Sequence, residues 1–254
     1  MTTTYKIYPL DTGWQNAFLG SYFFMGKYAD IRHDYPTLCF YVEGGGRKIM
    51  IDTGMCDSER AAKYHHPGRG QAPDMAVRPR LAKVGVTPEE IDLIIFTHLH
   101  WDHTSNMKMF SNARYVVGRK EYDFAQNPLP PYYRSYENDI LGIEPPFKGC
   151  TFDFTHGEEE VIDGISVFPT PGHCPGHQSV TIHTAEGHIT LAGDAILTFD
   201  NLKPDAERHM PFSPPARYTN IFEVWESLEK LVEPRRGLVL PSHDVRVLER
   251  KVYG

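Results

Sequence analysis

Long apolar runs are missing from this 254-residue chain: no stretch reaches the roughly 18 consecutive apolar residues of a membrane span. The opening Met1-Thr2-Thr3-Thr4-Tyr5-Lys6 lacks a basic segment followed by an apolar one, so no secretory leader is read and a cytoplasmic protein is expected. Positive charge is also in short supply. Lys and Arg number 26 against 33 Asp and Glu, a formal net charge of -7. That balance excludes electrostatic capture of nucleic acid or of an anionic membrane, since both require a basic face. Cysteine is sparse, and Cys39, Cys56, Cys150 and Cys174 form no C-x-x-C pair, which excludes a thiolate zinc knot and a redox dithiol. Buried free thiols are the expectation, with Cys174 set apart because it follows His173. Linkers and low-complexity tracts are absent too. With 41% hydrophobic and 23% charged residues, the chain reads as one soluble globular domain over 1–254.

What the chain does have is histidine at close spacing. Phe96-Thr97-His98-Leu99-His100-Trp101-Asp102-His103 follows the apolar run Ile91-Asp92-Leu93-Ile94-Ile95 and reads as a metal-binding loop at the end of a buried strand. Residues two apart on an extended segment project to one side, so His98 and His100 can reach one ion together. Asp102 and His103 face elsewhere, and a turn after Trp101 lets them hold a second ion at the roughly 3.5–4 Å spacing of two-metal hydrolases. With 13 His in 254 residues, chance yields an H-x-H-x-D-H roughly twice in a thousand such chains, so a coincidental cluster is a weak alternative. Imidazole and carboxylate donors suit zinc, with iron, manganese or cobalt as alternatives.

Along the chain, Tyr5 to Leu10 alternates as an opening strand, and the Gly- and aromatic-rich passage from Gly13 to Tyr28 is expected to interrupt regular structure. Its Trp14, Phe18, Tyr22, Phe23, Phe24 and Tyr28 either pack on the core or wall an apolar pocket, within one subunit or across a homodimer. Thr37–Val42 and Lys48–Asp52 around Gly44-Gly45-Gly46 read as a hairpin, with Asp52 either capping a turn or supporting the metal loop. His65 and His66 read as surface residues of an exposed loop. Met75–Val84 has helical spacing, and Thr87-Pro88-Glu89-Glu90 opens a short helix. Strands are expected at Asn112–Val117, Gly164–Thr170, Val180–His183, Ile189–Ala192 and Leu238–Leu240, and helices at Arg119–Phe124 and Ile221–Val232. The excursion from Pro128 to Phe147 could cover a pocket.

Polar residues recur just after apolar runs: Asp52, the His98–His103 cluster, His173, Asp194 and His243. In layered α/β proteins such strand ends converge on one edge, where sites form. In this order the chain resembles the metallo-β-lactamase superfamily. Thr170-Pro171-Gly172-His173-Cys174-Pro175-Gly176-His177-Gln178-Ser179 and Ser242-His243-Asp244 resemble the branch of N-acyl-homoserine lactonases and related small-molecule lactonases. The resemblance implies an αββα sandwich of two mixed β-sheets flanked by helices. It implies that His98, His100 and His173 hold one divalent ion, that Asp102, His103 and His243 hold the other, and that Asp194 bridges them.

The implied activity is hydrolysis of a small lactone or ester by a dinuclear metal centre, with N-acyl-homoserine lactone the nearest substrate and quorum quenching its consequence. No Ser or Cys nucleophile is needed, and Asp102 or Asp194 could pass a proton to the leaving alkoxide. One position departs from the branch. Its lactonases carry a tyrosine three residues after the bridging aspartate, whereas this chain has Leu197. His177, Tyr132, Tyr133 or Tyr136 are the candidates to replace that hydroxyl. A catabolic lactonase, esterase, thioesterase or cyclic-amide hydrolase is the alternative within the fold, and a non-catalytic metal-binding protein the alternative outside it.

Overall fold

Alternating apolar residues build two mixed sheets, each buried on both faces. The computed structural model describes residues 2–65 and 68–254. The first sheet has the order β1 (Lys6–Phe18), β2 (Arg32–Gly44), β3 (Arg47–Ile51), β4 (Leu93–Ile95), β5 (Arg114–Gly118) and β6 (Asp153–Thr155). Its first three strands are antiparallel and β3 to β6 run parallel. The second sheet joins β7 (Glu159–Ile162), β8 (Ile165–Pro169), β9 (Gln178–Thr184) and β10 (Gly187–Leu191) antiparallel, with β11 (Leu238–Leu240) added parallel to β10.

The period of two sorts the side chains into layers. Leu38, Phe40 and Val42 of β2, with Ile49 and Ile51 of β3, meet Val180 and Ile182 of β9 and Ile189 and Leu191 of β10 between the sheets. The intervening Cys39, Tyr41, Met50 and Ile94 face outward onto Val77 and Leu81 of α3 (Val77–Lys83) and Ala125 of α5 (Arg119–Gln126). On the other side, Val224, Leu228 and Leu231 of α6 (Ile221–Leu231) cover Phe168 and Val239 of the second sheet. Each such side chain contributes roughly 1.5–3 kcal/mol when fully buried. Helices outside and sheets inside give the expected αββα sandwich.

Three features differ from the sequence expectations. β1 does not stop at Leu10 but continues to Phe18 through a bulge between Asp11 and Trp14. Gly13 makes the bulge feasible: its φ is +143°, and a Cβ there would lie 2.5 Å from the Met55 sulfur and 2.6 Å from the Gly70 carbonyl. The aromatic passage therefore enters the sheet, followed by the single turn α1 (Leu19–Tyr22). The short strands β6 and β7 carry no clear apolar alternation and were not anticipated. Finally, His65 is no surface residue. At the end of α2 (Ser58–Tyr64) it is 4% exposed, its ring stacked 3.8 Å from Trp101 and its Nε2 2.9 Å from the Glu137 carboxylate. Its neighbour His66 lies outside the described residues.

The topology sends β3, β4, β8, β10 and β11 toward one edge. Asp52, the histidine loop, the loop of His173, Asp194 and His243 follow these strands directly.

Candidate metal centre

The histidine loop leaves β4 in an extended conformation and turns at His100, the residue before α4 (Trp101–Thr104). Asp52 holds it in place. Oδ1 accepts from the Thr97 amide at 2.8 Å, and Oδ2 accepts from the Thr97 hydroxyl at 2.7 Å and faces His103 Nδ1 at 2.8 Å. Asp52 does this with φ at +59°, a left-handed conformation that non-glycine residues rarely adopt. The carboxylate thus holds the histidine loop, and none of these bonds caps its own turn.

Three groups of ligand-type atoms lie mutually within 4.8 Å: His98, His100 and His173; His98, His103 and Asp194; and Asp102, His103 and His243. All seven residues singled out by the sequence are buried here together. Back-side hydrogen bonds fix which nitrogen each ring presents. The Thr97 hydroxyl is donated to Asp52, so its oxygen accepts from His98 Nδ1 at 3.0 Å. His173 Nδ1 donates to the Arg217 carbonyl at 3.1 Å, and His243 Nδ1 to the Pro36 carbonyl at 2.8 Å. With these tautomers assigned from the network, His98 Nε2 and His173 Nε2 both aim lone pairs at His100 Nδ1, each at 3.0 Å. One proton cannot satisfy three nitrogens. His103 Nε2 and His243 Nε2 lie 3.2 and 3.3 Å from Asp194 Oδ1, yet both are buried without hydrogen-bond geometry. Converging lone pairs around a carboxylate fit a pair of divalent ions, and the donor set of imidazole and carboxylate is that of zinc or a similar metal.

The electrostatics point the same way. Burial, reinforced by neighbouring imidazoles, holds His98 and His100 well below the usual histidine range, and burial brings His173 down to about 4. These rings are neutral, as ligands must be. Burial also opposes charge on His103, but the carboxylates of Asp194 and Asp52 outweigh it and hold that pKa well above the ordinary value; Asp194 and Asp102 likewise raise His243 against its burial. Asp194 stays ionised: burial raises its pKa, but His243, His103 and His173 overcome that effect.

Several supporting residues left no signal in the sequence. Gln15 of β1 donates to Asp102 Oδ2 at 2.5 Å and receives Arg69 on its own oxygen at 2.7 Å. Glu121, at the start of α5, accepts from the Leu99 amide at 3.0 Å and from the Tyr136 hydroxyl at 2.8 Å. Burial raises its pKa, while bonds from Leu99, Cys174 and Tyr136 lower it. Cys174 is buried beside Glu121, and burial and that carboxylate push its thiol up, away from nucleophilic character. Cys39, Cys56 and Cys150 are free as well.

The candidates for the missing tyrosine fare poorly. His177 has no free nitrogen: Nδ1 faces the Thr170 hydroxyl at 2.9 Å and Nε2 accepts from the Asp194 amide at 3.0 Å. Both nitrogens are thus engaged within the protein, one of them on the Asp194 backbone, and burial drops its pKa to about 3. Tyr136 is committed to Glu121, and neither it nor Tyr132 nor Tyr133 lines the cavity beside the histidines. That cavity, about 520 Å³, is walled by Tyr22, His100, Trp101, Asp102, Ser135 and Arg217 among others. Leu197 is buried against Phe23 and Tyr35. Tyr35 sets its ring edge-on to His243 at 5.2 Å with its hydroxyl unpartnered, and Tyr22 stacks on Tyr35 at 5.5 Å. Burial, with Asp102 and Asp194 nearby, raises both phenols, so both are neutral donors.

This sandwich, with its edge of histidines and aspartates, defines a class of protein. The chain belongs to the metallo-beta-lactamase superfamily, whose family model matches residues 33–243. Among its relatives, an N-acyl homoserine lactonase of Bacillus cereus is 30% identical over 219 residues, 83% of this chain and 82% of that protein. The crystal structure of a quorum-quenching N-acyl homoserine lactone lactonase superposes with a TM-score of 0.74 at 25% identity, covering 97% of this chain and 94% of that one. An N-acyl homoserine lactone hydrolase with N-hexanoyl-L-homoserine at its catalytic metal centre shares the fold at a TM-score of 0.76 and 24% identity, over 98% and 96% of the two chains.

Two outcomes are expected. Glu121→Ala, by stranding the Leu99 amide and the Tyr136 hydroxyl, should cost about 2–4 kcal/mol in denaturant unfolding, and Glu121→Gln less; equal, negligible losses would contradict the bracing role. Divalent ions entering the centre must displace protons from His103 and His243, whose pKa values are raised. Metal affinity should therefore rise as pH rises through those values, with proton release visible as buffer-dependent heats in titration calorimetry. Heats independent of the buffer would exclude it.

Proposed function

We propose that the protein is a dinuclear metal-dependent hydrolase that opens a small lactone, with N-acyl-homoserine lactone the nearest candidate. The observation that carries this reading is the convergence of five histidines and two aspartates in one buried cluster, of which His100 and Asp102 reach a cavity, in a chain related to lactonases over most of its length. His98, His100 and His173 would hold one ion, Asp102, His103 and His243 the other, and Asp194 both. When bound, such a pair acidifies a shared water and draws charge from a carbonyl. The chain's own residues do the rest. Asp52, Thr97, Pro36 and the Arg217 carbonyl keep the imidazoles aimed, and His177 keeps the Asp194 backbone in place. Asp102, which lines the cavity and is steadied by Gln15, is placed to receive a proton and return it to the departing alkoxide. With Leu197 carrying no donor, Tyr22 takes over the hydrogen bond to the carbonyl oxygen, its ring backed by Tyr35.

Zinc, a cytoplasmic location and a homodimer complete the reading. The imidazole and carboxylate donors support the first, and four free thiols support the second, because reducing compartments keep cysteines unpaired. For the third, Trp14, Phe18, Tyr28 and Ile31 expose apolar surface from one region of the chain. An apolar groove of about 310 Å³ beside His243, with Leu19, Phe23, Phe24 and Pro36 in its wall, gives an acyl chain somewhere to lie.

Metal-loaded protein should release protons from acyl-homoserine lactones, and His103→Ala should abolish turnover while lowering bound metal by mass spectrometry. Turnover of aromatic lactones, esters or thioesters alone would move the function to catabolism. Tyr22→Phe should lower kcat about 100-fold with metal content unchanged; an unaltered kcat would return the donor role to another group.

A further inference from the structure

The cavity beside the histidines carries more positive charge than opening a neutral lactone needs. Eleven of the fifteen arginines are ion-paired. Among the described residues only Arg32, Arg69, Arg134 and Arg217 have no carboxylate within 4.0 Å. The last three of these line this single cavity. They come from three separate segments: the loop after α2, the excursion that follows α5, and the stretch before α6.

Each is held by a neutral acceptor. Arg69 Nε donates to Gln15 Oε1 at 2.7 Å, with its guanidinium 5.4 Å from the centre of the Trp101 ring. Arg134 Nη1 donates to the His65 carbonyl at 2.9 Å, and Arg217 Nη2 to the Ser135 hydroxyl at 2.9 Å. The groups are oriented but not neutralised. The carboxylate in the cavity wall is Asp102, which the proposed function commits to a metal ion, and Glu137 behind His65 is already bound by Arg60 at 2.7 Å. Arg69 and Arg217 are half-buried and Arg134 is exposed. Guanidinium groups fork onto oxyanions, and half-buried ones without a counter-ion invite an anion from the substrate.

We propose that the substrate is an anionic lactone or ester: beyond the carbonyl that is attacked it bears a carboxylate or phosphate, which Arg69, Arg134 and Arg217 bind. The inference rests on the hydrolase reading and narrows it. A neutral acyl-homoserine lactone would leave these guanidinium groups unused, and its chain would lie in the apolar groove by His243.

The test is a series of γ-butyrolactones with amide tails of equal length ending in methyl, carboxylate or phosphate, presented to the metal-loaded enzyme. One charge-assisted contact supports roughly a 10- to 100-fold preference in kcat/KM for an anionic tail over methyl, and whichever anion is faster identifies the natural group. Arg69→Met, Arg134→Met and Arg217→Met should each shrink that ratio, mainly through KM, and the corresponding Arg→Lys variants should restore part of it. A methyl tail as good as the anionic ones, or a ratio unmoved by loss of the arginines, overturns the proposal. If the metal-loaded enzyme opens no member of the series, the lactonase reading fails on its own. Calorimetric binding of the ring-opened anionic compounds then decides the arginine site: binding weakened by the Met variants upholds it, and no binding overturns it.

Discussion

The carboxylate of Asp52 is the point on which the site depends. Its two oxygens take the Thr97 amide, the Thr97 hydroxyl and His103 Nδ1. These three bonds tie the end of β3 to the end of β4 and to α4. The left-handed backbone at Asp52 costs about 1–3 kcal/mol, and bonds to a charged acceptor offset it. Through Thr97 the same carboxylate sets the tautomer of His98, and through Nδ1 that of His103. The second sheet is joined at this place too, because the Gln178 amide reaches the Thr97 carbonyl at 3.0 Å and its side chain reaches the Phe96 carbonyl at 2.9 Å. A strand end, a loop and two sheets are thus registered by a few buried polar groups, which tolerate little displacement in a low-dielectric interior.

How far the sequence discloses this arrangement depends on the range of the interactions. His98, His100, Asp102 and His103 are legible because their spacing matches an extended segment followed by a turn, a purely local property. His173, Asp194 and His243 are legible because each follows an apolar run. Gln15 and Glu121 are not, since their partners lie 87 and 22 residues away and neither residue type announces a site. His65 misleads for the same reason. Its loop has the composition of a surface, but Glu137, 72 residues on, supplies a partner that makes burial affordable. Gly13 misleads differently, because a glycine that ends a strand and one that permits a bulge look alike until the partner strand is known.

Charge shows how a global sum conceals a local one. A net charge of -7 argues against a polyanion-binding face, but it says nothing of three guanidinium groups gathered from distant segments. Acidic residues are plentiful, and most arginines have acquired one. To leave Arg69, Arg134 and Arg217 on amide, carbonyl and hydroxyl partners is therefore a selective arrangement. Such partners fix a guanidinium in space without quenching its charge, which is the condition for binding an anion.

The departures from the lactonase pattern fall on one side of the chemistry. The seven residues proposed to hold the ions lie buried together, whereas Leu197, in place of a tyrosine, and the arginines of the cavity belong to the part of the site proposed to meet a substrate. These two sets of residues answer to different constraints. Ligands must satisfy the geometry of the ions whatever is hydrolysed, so they hold across substrates. Groups that meet the substrate need only stabilise its particular charge, and they can be exchanged provided another donor reaches the same carbonyl. A hydroxyl supplied from α1, as proposed for Tyr22, would come from a different segment of the chain than the loop after β10. Arg217, whose amide donates to the Tyr22 carbonyl at 3.2 Å, stands in the same cavity with Ser135 and Arg134, where a polar group that a buried acyl chain would not bring can be met.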